Sequence, residues 1–339
     1  MVRRWGRYVA VTMMAVGAFA GCGKAQHDVS IEPTPQGIAA AAETTSAARA
    51  TRWYQGRMSL LARLERLDQM PDGPLVDLRL EDEALGRVAA PLARDLAKAL
   101  PDDLAIEVDG ALRLVAGDRD ELDARAARVV EALERLGRLP PRRGERYAIR
   151  PDLGSAVRFA IERAAVDVLG LPAFGVHLNA FVQRDAGLGL WVARRARTKP
   201  TFPLAYDHLV AGGLPEDMDP RSNLEKEAAE EAGLAPASLA DVRCLGELRY
   251  ACAVPQGVRN DTVFVYDVEL PASVEPRAAD GEVEAFYLWS IDDVLTALRG
   301  DADFKFNVGP AILASFLERG LLDDDPEHDA LAAWFAGRM

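Results

Sequence analysis

Residues 211–234 read AGGLPEDMDPRSNLEKEAAEEAGL and contain the strongest local folding signals of the chain. Asp219 followed by Pro220 is typical of a helix start, because aspartate accepts hydrogen bonds from the first free N–H groups and proline fits the first helical position. Gly233 suits the residue just past a helix end, where a left-handed backbone is common. The stretch therefore predicts a helix over residues 220–232, bounded by glycine-containing loops.

Three carboxylates lie on one side of this predicted helix. Glu227, Glu230 and Glu231 have the spacing i, i+3 and i+4, so they are close enough to repel one another. A hard divalent cation with oxygen ligands, Mg²⁺ or alternatively Mn²⁺, is the natural neutralising partner. Glu231 is nearest to the apolar stripe that includes Leu224 and Ala228, so we expect it to be the least solvated. The alternative interpretation is a solvated glutamate-rich face without a metal.

Composition places the chain among soluble globular proteins. Of its 339 residues, 49% are hydrophobic and 27% are charged, and the net charge is −13. This charge does not favour nucleic acid as a partner, and a small anionic substrate would need a local cation or arginine cluster. The three cysteines exclude a disulfide scaffold, and their spacing does not match a zinc site. No feature indicates an oligomeric state.

The N-terminus has two possible interpretations. Residues 1–22 combine a basic start, a short apolar run and Gly-Cys, and they resemble a bacterial lipoprotein signal with Cys22 as the lipidated residue. The apolar run is too short for a transmembrane helix. Residues 23–57 are then a flexible linker or a non-native extension. Because a natural first helix follows Met58, we expect a cytoplasmic product that starts near that residue, with an exported lipoprotein as the alternative.

Residues 58–172 show helical stripes and short strand-like runs, which predict a small α+β domain. Two apolar runs around Asp109 and Gly110 predict a β-hairpin. Residues 154–170 predict a helix. No catalytic constellation appears in this part of the chain.

The next part opens with a predicted hairpin. Residues 175–196, GVHLNAFVQRDAGLGLWVARRA, predict two strands joined by a polar turn at residues 184–187. The cations Arg194 and Arg195 lie at the end of the second predicted strand, and Lys199 follows it. They are candidates for a phosphate clamp, since arginine binds phosphate oxygens in a bidentate manner. The alternative is an edge strand protected by charge.

Residues 212–234 resemble the Nudix box, the loop–helix–loop signature of Nudix hydrolases. That signature is a glycine, five residues, Glu, seven residues, Arg-Glu, an aliphatic residue, any residue, Glu-Glu, any residue, glycine and an aliphatic residue. Gly212 matches the first glycine, Glu227 matches the glutamate of Arg-Glu, and Glu230 and Glu231 match the Glu-Glu pair. The resemblance implies that these three glutamates bind the metal.

Two positions depart from the signature. Met218 stands where the first glutamate belongs, and Lys226 replaces the arginine. In the family these two residues form a mainly structural ion pair, so their joint loss leaves the metal-binding carboxylates whole. The resemblance implies a Nudix α/β/α sandwich with a mixed sheet over residues 173–339, preceded by the smaller α+β domain.

A narrower resemblance involves separated runs, among them ARRARTKPTFPLAYDHLVAGG and DGEVEAFYLWSIDDV. Together they look like the Nudix subgroup with an N-terminal DUF4743-type domain, which is related to the Nudix part of thiamine pyrophosphokinase-linked proteins. This resemblance implies a small-molecule diphosphate substrate, namely thiamine diphosphate or its damaged analogues, cleaved to the monophosphate. His208 stands where asparagine is expected in that subgroup.

The implied reaction is attack of water on a phosphorus atom of a diphosphate linked to an organic group. Glu230 or Glu231 is a candidate base, although metal binding competes with that role, and Glu282 at the start of a later strand is the alternative. The remaining candidates for substrate binding lie on the first strand and on the loop before the helix: His177, Asn179, Gly212 and Gly213.

Two other functions remain open at this point. The chain could be a Nudix-fold module that senses a nucleotide or diphosphate without turnover, although such a module has no need of a costly carboxylate cluster. It could also resemble the isoprenoid diphosphate isomerases, which rely on a cysteine opposite an acidic residue. Cys244 and Cys252 follow the box but do not stand in an obvious equivalent place.

Overall fold

The computed structural model describes residues 58–300 and 302–339, so the signal-like segment and Cys22 lie outside the described residues. The described residues belong to one compact unit. No helix in these two ranges is long and apolar enough to cross a membrane.

The first part of the described chain is a small mixture of helices and short strands. They are α1 (Leu60–Glu65), β1 (Leu75–Leu80), β2 (Glu83–Ala89), α2 (Ala90–Ala99), β3 (Leu104–Ile106), β4 (Leu112–Leu114), α3 (Arg119–Arg135), β5 (Arg146–Ile149), β6 (Phe159–Glu162) and α4 (Val166–Leu169).

Four of these strands form a sheet in the order β2-β1-β4-β3, and β5 pairs separately with β6. The predicted hairpin is confirmed, because β3 and β4 are antiparallel with Leu104 opposite Leu114. Helix α3 begins with a reciprocal capping box between Asp118 and Glu121. Its buried face, which includes Val130 and Leu133, joins the sheet in one hydrophobic core.

The helix predicted over residues 154–170 is wrong for most of its length. Phe159–Glu162 is a strand, antiparallel to β5, and only Val166–Leu169 is α-helical. The run Phe159, Ala160 and Ile161 is buried at every position. A short run buried on both sides has no periodicity that distinguishes a strand from a helix, and pairing with β5 decides in favour of the strand.

The second part of the described chain contains the large sheet and the helices that cover it. They are β7 (Pro172–Arg184), β8 (Gly187–Arg195), β9 (Tyr206–Asp207), β10 (Val210–Gly213), α5 (Pro220–Ala232), β11 (Arg243–Val254), β12 (Gly257–Glu269), β13 (Val283–Ser290), α6 (Ile291–Arg299), α7 (Val308–Glu318) and α8 (His328–Phe335).

This sheet is mixed and lies between two helical layers. Its strand order is β11-β12-β7-β8-β13, with β10 paired to β7 and β9 to β8, and β12 runs parallel to β7. Val182 of β7 belongs to the core that contains Leu224 of α5, whereas the adjacent Phe181 belongs to the core that contains Phe316 of α7. Successive side chains point to opposite faces of a strand, so the sheet separates these two cores. The predicted mixed α/β class and the predicted β7–β8 hairpin are confirmed.

Helix α1 packs with the second part rather than with the four-stranded sheet. Leu60 and Leu64 of α1, and Leu67 in the turn that follows it, are fully buried in the core that contains α7. The carboxylate of Glu327 also accepts hydrogen bonds from the N–H groups of Leu60 at 3.2 Å and Leu61 at 3.1 Å. The domain boundary predicted near residue 172 stays a prediction. Helix α1 precedes this boundary in sequence but packs against residues that follow it.

Candidate active site

Helix α5 has the bounds that its capping residues predict. The Asp219 side chain accepts hydrogen bonds from the N–H groups of Arg221 at 2.9 Å and Ser222 at 3.0 Å. Gly233 ends the helix in the left-handed conformation, with φ of 62°. Two of its glutamates, Glu227 and Glu231, lie against β10, where they face Gly212 and Ala211.

Glu231 is the least exposed of the three helix glutamates, as its position beside the apolar stripe predicts. Its relative exposure is 9%, and its Oε2 accepts a hydrogen bond from the Ala211 N–H at 3.1 Å. Burial raises the pKa of this carboxyl to about 8, and nearby Asp207 and Glu227 act in the same direction. A buried carboxyl without a close cationic partner is a group that a bound cation would stabilise.

Glu227 and Glu230 have a partner within the helix itself. The Lys226 Nζ lies 3.2 Å from an oxygen of Glu227 and 3.3 Å from an oxygen of Glu230. Burial nevertheless raises the pKa of Glu227, against the opposing effect of Lys226. Within the described ranges, no group of three or more His, Cys, Asp or Glu side chains is already gathered as a metal cage. Metal binding by the three glutamates stays a prediction.

Gly212 lies directly against one of these carboxylates. A Cβ atom at this position would be 2.5 Å from both Cγ and Cδ of Glu227, which is closer than real contacts allow. A glycine is therefore required here if the Glu227 side chain is to keep its place between β10 and α5.

We expect Gly212→Ala to displace the Glu227 side chain and to reduce turnover of a diphosphate substrate by about tenfold or more, because small misplacements of site groups are costly. The melting temperature should change little, since the glutamate side chain can move. Gly154→Ala is the matched control, because its added Cβ would be no closer than 3.4 Å to Asp152 Oδ1. Unchanged turnover in Gly212→Ala would contradict a role for Glu227.

A small cavity beside α5 brings together several residues that are far apart in sequence. Of the predicted site residues, Glu231, Arg195, Lys199 and Glu282 line it. The full lining is Ala193, Arg195, Lys199, Asp207, His208, Ala211, Glu231, Glu282 and Val283. Four predicted candidates from three separate stretches of sequence thus meet at one place.

Arg195 is held by the protein on several sides. Its Nη1 donates to the buried Asp207 carboxylate at 2.7 Å, and its Nε and Nη2 donate to the carbonyls of Phe202 and Thr201, each at 3.0 Å. Lys305 Nζ is 3.5 Å from the same Asp207 oxygen. Burial would raise the pKa of Asp207, but Lys305 and Arg195 outweigh it and lower the pKa. A phosphate-binding role for Arg195 stays a prediction.

Lys199 and Glu282 form a close ion pair in the cavity wall. Burial tends to raise the pKa of Glu282, but Lys199 and Arg195 outweigh that effect and lower it. Glu282 is therefore ionised at neutral pH, and its carboxylate is already paired with Lys199. Its role as an alternative base stays a prediction.

Arg194 occupies a different place from Arg195. It is opposite Ala285 of β13 and Tyr206 of β9, and its guanidinium lies 6.0 Å from the Tyr206 ring centre. Adjacent strand residues face opposite sides of a sheet, so the two arginines do not enter the cavity together. Arg194 is absent from the cavity lining.

His177 and Asn179 are buried beside the cavity rather than in its lining. The rings of His177 and His208 have centroids 4.4 Å apart, and burial lowers the pKa of His177 well below its usual value, with His208 as a smaller cause. The Asn179 amide nitrogen donates to Asp267 at 3.1 Å and to the Ala311 carbonyl at 3.2 Å. Substrate binding by either residue stays a prediction.

Asp207 and His208 were not predicted as site residues, yet both line the cavity. The available sequence signal is a polar pair inside the otherwise apolar run LAYDHLV. Polar side chains that are buried need hydrogen-bond partners inside the protein. A polar pair within an apolar run is therefore a sequence signal for a buried polar site.

The first part of the chain approaches the loop that precedes α5. A Cβ at Gly213 would be only 1.6 Å from the Tyr147 hydroxyl and 3.6 Å from the Arg163 Cζ. The Glu216 N–H also donates to the Arg146 carbonyl at 3.0 Å. Residues of β5 and of the segment after β6 therefore hold this loop in place.

The sequence of this region matches a known domain model. Residues 173–310 match the model of the NUDIX domain. This segment is a Nudix domain. The Nudix domain contains the predicted glutamates of α5, the cavity and the two histidines described above.

Two curated relatives resemble the chain over a larger part of its length. "Nudix hydrolase 20, chloroplastic" from Arabidopsis thaliana is 35% identical over 217 residues, which are 63% of this chain and 58% of the relative. "Nudix hydrolase 24, chloroplastic" from the same plant is 35% identical over 206 residues, which are 60% of this chain and 56% of the relative. The chain thus spans less than two thirds of the length of either relative.

Solved Nudix structures are similar at a lower level. A Caenorhabditis elegans Ap4A hydrolase has 10% sequence identity and a TM-score of 0.34, and the match covers 44% of this chain and 98% of that one.

Proposed function

We propose that this protein is a metal-dependent Nudix hydrolase that cleaves a diphosphate linked to an organic group. The observation that carries this proposal is Glu231, a buried carboxyl on the Nudix helix that lacks a close cationic partner and lines a cavity with Lys199 and Arg195. The relatives described above, both named Nudix hydrolases, support the same reaction class.

The chemistry of the donor set fits a divalent cation. Glu231 and Glu227 both have raised pKa values because of burial, so each would be stabilised as a carboxylate by a nearby cation. Glu227, Glu230 and Glu231 are the residues that would hold Mg²⁺ or Mn²⁺. Such an ion, when bound, neutralises negative charge on phosphate oxygens.

The residues of the chain have separable tasks in this proposal. Lys199, placed in the cavity wall by the loop after β8, attracts the anionic diphosphate and exchanges part of its contact with Glu282 for phosphate oxygens. Arg195 keeps Asp207 and the loop carbonyls of Thr201 and Phe202 in place, and adds positive potential to the cavity. Glu231 takes the proton of the attacking water.

For the substrate, we propose thiamine diphosphate or a damaged analogue, cleaved to the monophosphate and phosphate. This choice rests on the resemblance of the chain to the subgroup with an N-terminal DUF4743-type domain. The first part of the chain is well placed to influence specificity, because Tyr147 and Arg163 lie against Gly213 in the loop before α5.

A sensing module without turnover is the second candidate, and one observation favours it. Lys226 lies within 3.3 Å of carboxylate oxygens of both Glu227 and Glu230 and thus offsets their repulsion without a metal. The properties of Cys244 and Cys252 argue against the isomerase alternative. Burial raises the pKa of the Cys252 thiol to about 12 and also raises that of Cys244, so neither is an activated thiolate.

A panel assay separates these functions. Phosphate release is measured from thiamine diphosphate, nucleoside diphosphates and isopentenyl diphosphate, with Mg²⁺, with Mn²⁺ and with a chelator. We expect metal-dependent release that is fastest with thiamine diphosphate. Tight binding without release would support the sensing module, and rearranged isopentenyl diphosphate without release would support the isomerase.

A further inference from the structure

The small cavity beside α5 offers charged groups to a substrate but no aromatic surface. Its charged lining side chains are Arg195, Lys199, Asp207, Glu231 and Glu282, and none of its lining residues is a phenylalanine, tyrosine or tryptophan. Small-molecule sites usually recognise the organic part of a ligand through apolar and aromatic side chains. For a substrate whose phosphates enter the cavity, such side chains should therefore lie next to the cavity rather than in its wall.

Phe202 offers an aromatic surface at this place. It is 37% exposed, and no other phenylalanine, tyrosine or tryptophan of the described chain is exposed; Tyr147, which approaches from the first part of the chain, is only 6% exposed. The carbonyls of Thr201 and Phe202 each accept a hydrogen bond from Arg195 at 3.0 Å. Lys199 is three residues before Phe202, a distance of at most about 11 Å along the chain. The turn that carries Phe202 is thus attached directly to the cavity wall.

The backbone of this turn has a conformation that its sequence does not favour. The φ angle is 51° at Phe202 and 63° at Leu204, in the left-handed region that bulky side chains rarely adopt. Pro203 adds to the cost, because the residue before a proline prefers an extended backbone. A single exposed apolar residue is common on protein surfaces. Strained residues, in contrast, persist where other contacts hold them, and they cluster at ligand sites. Here the hydrogen bonds from Arg195 supply those contacts.

A second phenylalanine supports the Phe202 ring. The ring centroids of Phe202 and Phe306 are 5.6 Å apart, which is within the usual range for aromatic pairs. Phe306 is half-buried, and the guanidinium of Arg259 lies 5.6 Å from its ring centroid. The preceding residue, Lys305, has its Nζ 3.5 Å from the carboxylate of Asp207 in the cavity lining. Both members of this aromatic pair, Phe202 and Phe306, are therefore connected to groups of the cavity wall.

We propose that the aromatic pair binds the ring system of the substrate's organic group, so that the enzyme selects diphosphates with a heteroaromatic ring over those with an aliphatic chain. This proposal rests on the diphosphatase function proposed above. With the phosphates near Lys199 and Arg195, the ring of such a substrate reaches the exposed surface of Phe202 and packs against it. The cationic cavity and the aromatic pair thus match the two halves of one ligand.

Replacing Phe202 with leucine removes the ring but keeps an apolar side chain. We expect kcat/KM for thiamine diphosphate and for ADP to fall about tenfold, mainly through KM, since a contact between aromatic rings contributes up to about this factor. The kcat/KM for isopentenyl diphosphate, which has no ring, should not change. Phe202→Tyr keeps a ring and should keep the selectivity of the wild type. Phe335→Leu is the control, because Phe335 packs against Trp334 in α8 and does not line the cavity. It should leave the selectivity unchanged even if it lowers the melting temperature.

A binding measurement tests the aromatic pair without turnover. The full chain is titrated calorimetrically, in the presence of Mg²⁺, with thiamine monophosphate, with AMP and with inorganic phosphate. We expect the wild type to bind at least one of the two ring-bearing ligands more tightly than inorganic phosphate, and Phe202→Leu to weaken that binding about tenfold while leaving the Kd of inorganic phosphate unchanged.

Two results would overturn the proposal while leaving the hydrolase function intact. One is an equal loss of affinity for ring-bearing ligands and for inorganic phosphate in Phe202→Leu, and the other is a wild type that binds neither ring-bearing ligand more tightly than inorganic phosphate. Failure of the wild-type protein to release phosphate from any diphosphate would instead overturn the hydrolase function. The titrations would then still decide whether the aromatic pair binds a ring.

Discussion

Replacing Glu231 with glutamine is expected to reduce phosphate release by about 100-fold or more, the usual range for loss of a positioned acid–base group. Glu231 is 9% exposed in the Nudix domain and lines the cavity, so the amide would occupy the same space without the charge. Glu225→Gln is the matched control, because Glu225 is on the same helix but pairs with Arg221 at 2.7 Å and does not line the cavity.

The same substitution is expected to raise the melting temperature of the metal-free protein at pH 8. The pKa of Glu231 is about 8 in the folded protein and about 4.3 in an unfolded chain. Between these values the unfolded chain binds fewer protons, so the wild-type protein loses stability as the pH rises from about 4.3 to about 8. Glutamine does not titrate, so the difference in melting temperature should shrink towards pH 5.

Thermal melts at pH 5 and pH 8 with a chelator, and turnover assays with Mg²⁺, test both expectations on one preparation. Added Mg²⁺ should stabilise the wild-type protein more than Glu231→Gln. Wild-type turnover in the variant, or a lower melting temperature than wild type at pH 8, would contradict the assignment of Glu231 to the metal and proton chemistry.

Replacing Arg195 with alanine is expected to have the largest effect on stability. The side chains of Arg195 and Asp207 are 11% and 6% exposed, and the pair is joined at 2.7 Å. Removing one partner of a buried pair and leaving the other charge uncompensated costs about 3–5 kcal/mol, and because Lys305 Nζ stays 3.5 Å from the same Asp207 oxygen, we expect a loss at or below about 3 kcal/mol. In a domain of about 150–250 residues, about 3 kcal/mol lowers the melting temperature by roughly 6–12 °C, and in this longer chain we expect a fall of no more than about 6 °C.

Arg197→Ala is the matched control, since Arg197 is an exposed residue of the same cationic stretch and should change stability by no more than about 0.5 kcal/mol. Turnover should also fall in Arg195→Ala, because Asp207 and the loop with Lys199 lose their anchor. A large loss of turnover with an unchanged melting temperature would instead indicate that Arg195 serves chiefly to bind phosphate.

Features that depend on neighbouring residues were predictable from the sequence. The bounds of α5 follow from Asp219 at one end and Gly233 at the other, because capping involves backbone groups only a few residues away. The burial of Glu231 follows from its place beside the apolar stripe of the same helix. The hairpin of β7 and β8 follows from two alternating runs around a short polar turn.

The segment around Phe159 shows where local patterns stop being informative. Its apolar run is compatible with a helix or a strand, and the outcome depends on β5, whose partner residue Ile149 is ten positions earlier. A strand forms its backbone hydrogen bonds with a partner that can be far away in sequence. The local periodicity of apolar residues carries no information about that partner.

The sequence by itself determined the Nudix helix, its three glutamates and the nearby cations of the candidate site. Only the tertiary structure decided that Arg195 and not Arg194 enters the cavity, that Lys199 pairs with Glu282, and that Asn179 is the hydrogen-bond partner of His208. The physical reason is that capping and helical stripes act between near neighbours. The partner of a buried charge is instead set by strand register and by the packing of distant segments, since burial makes an unpaired polar group costly wherever its partner lies in the sequence.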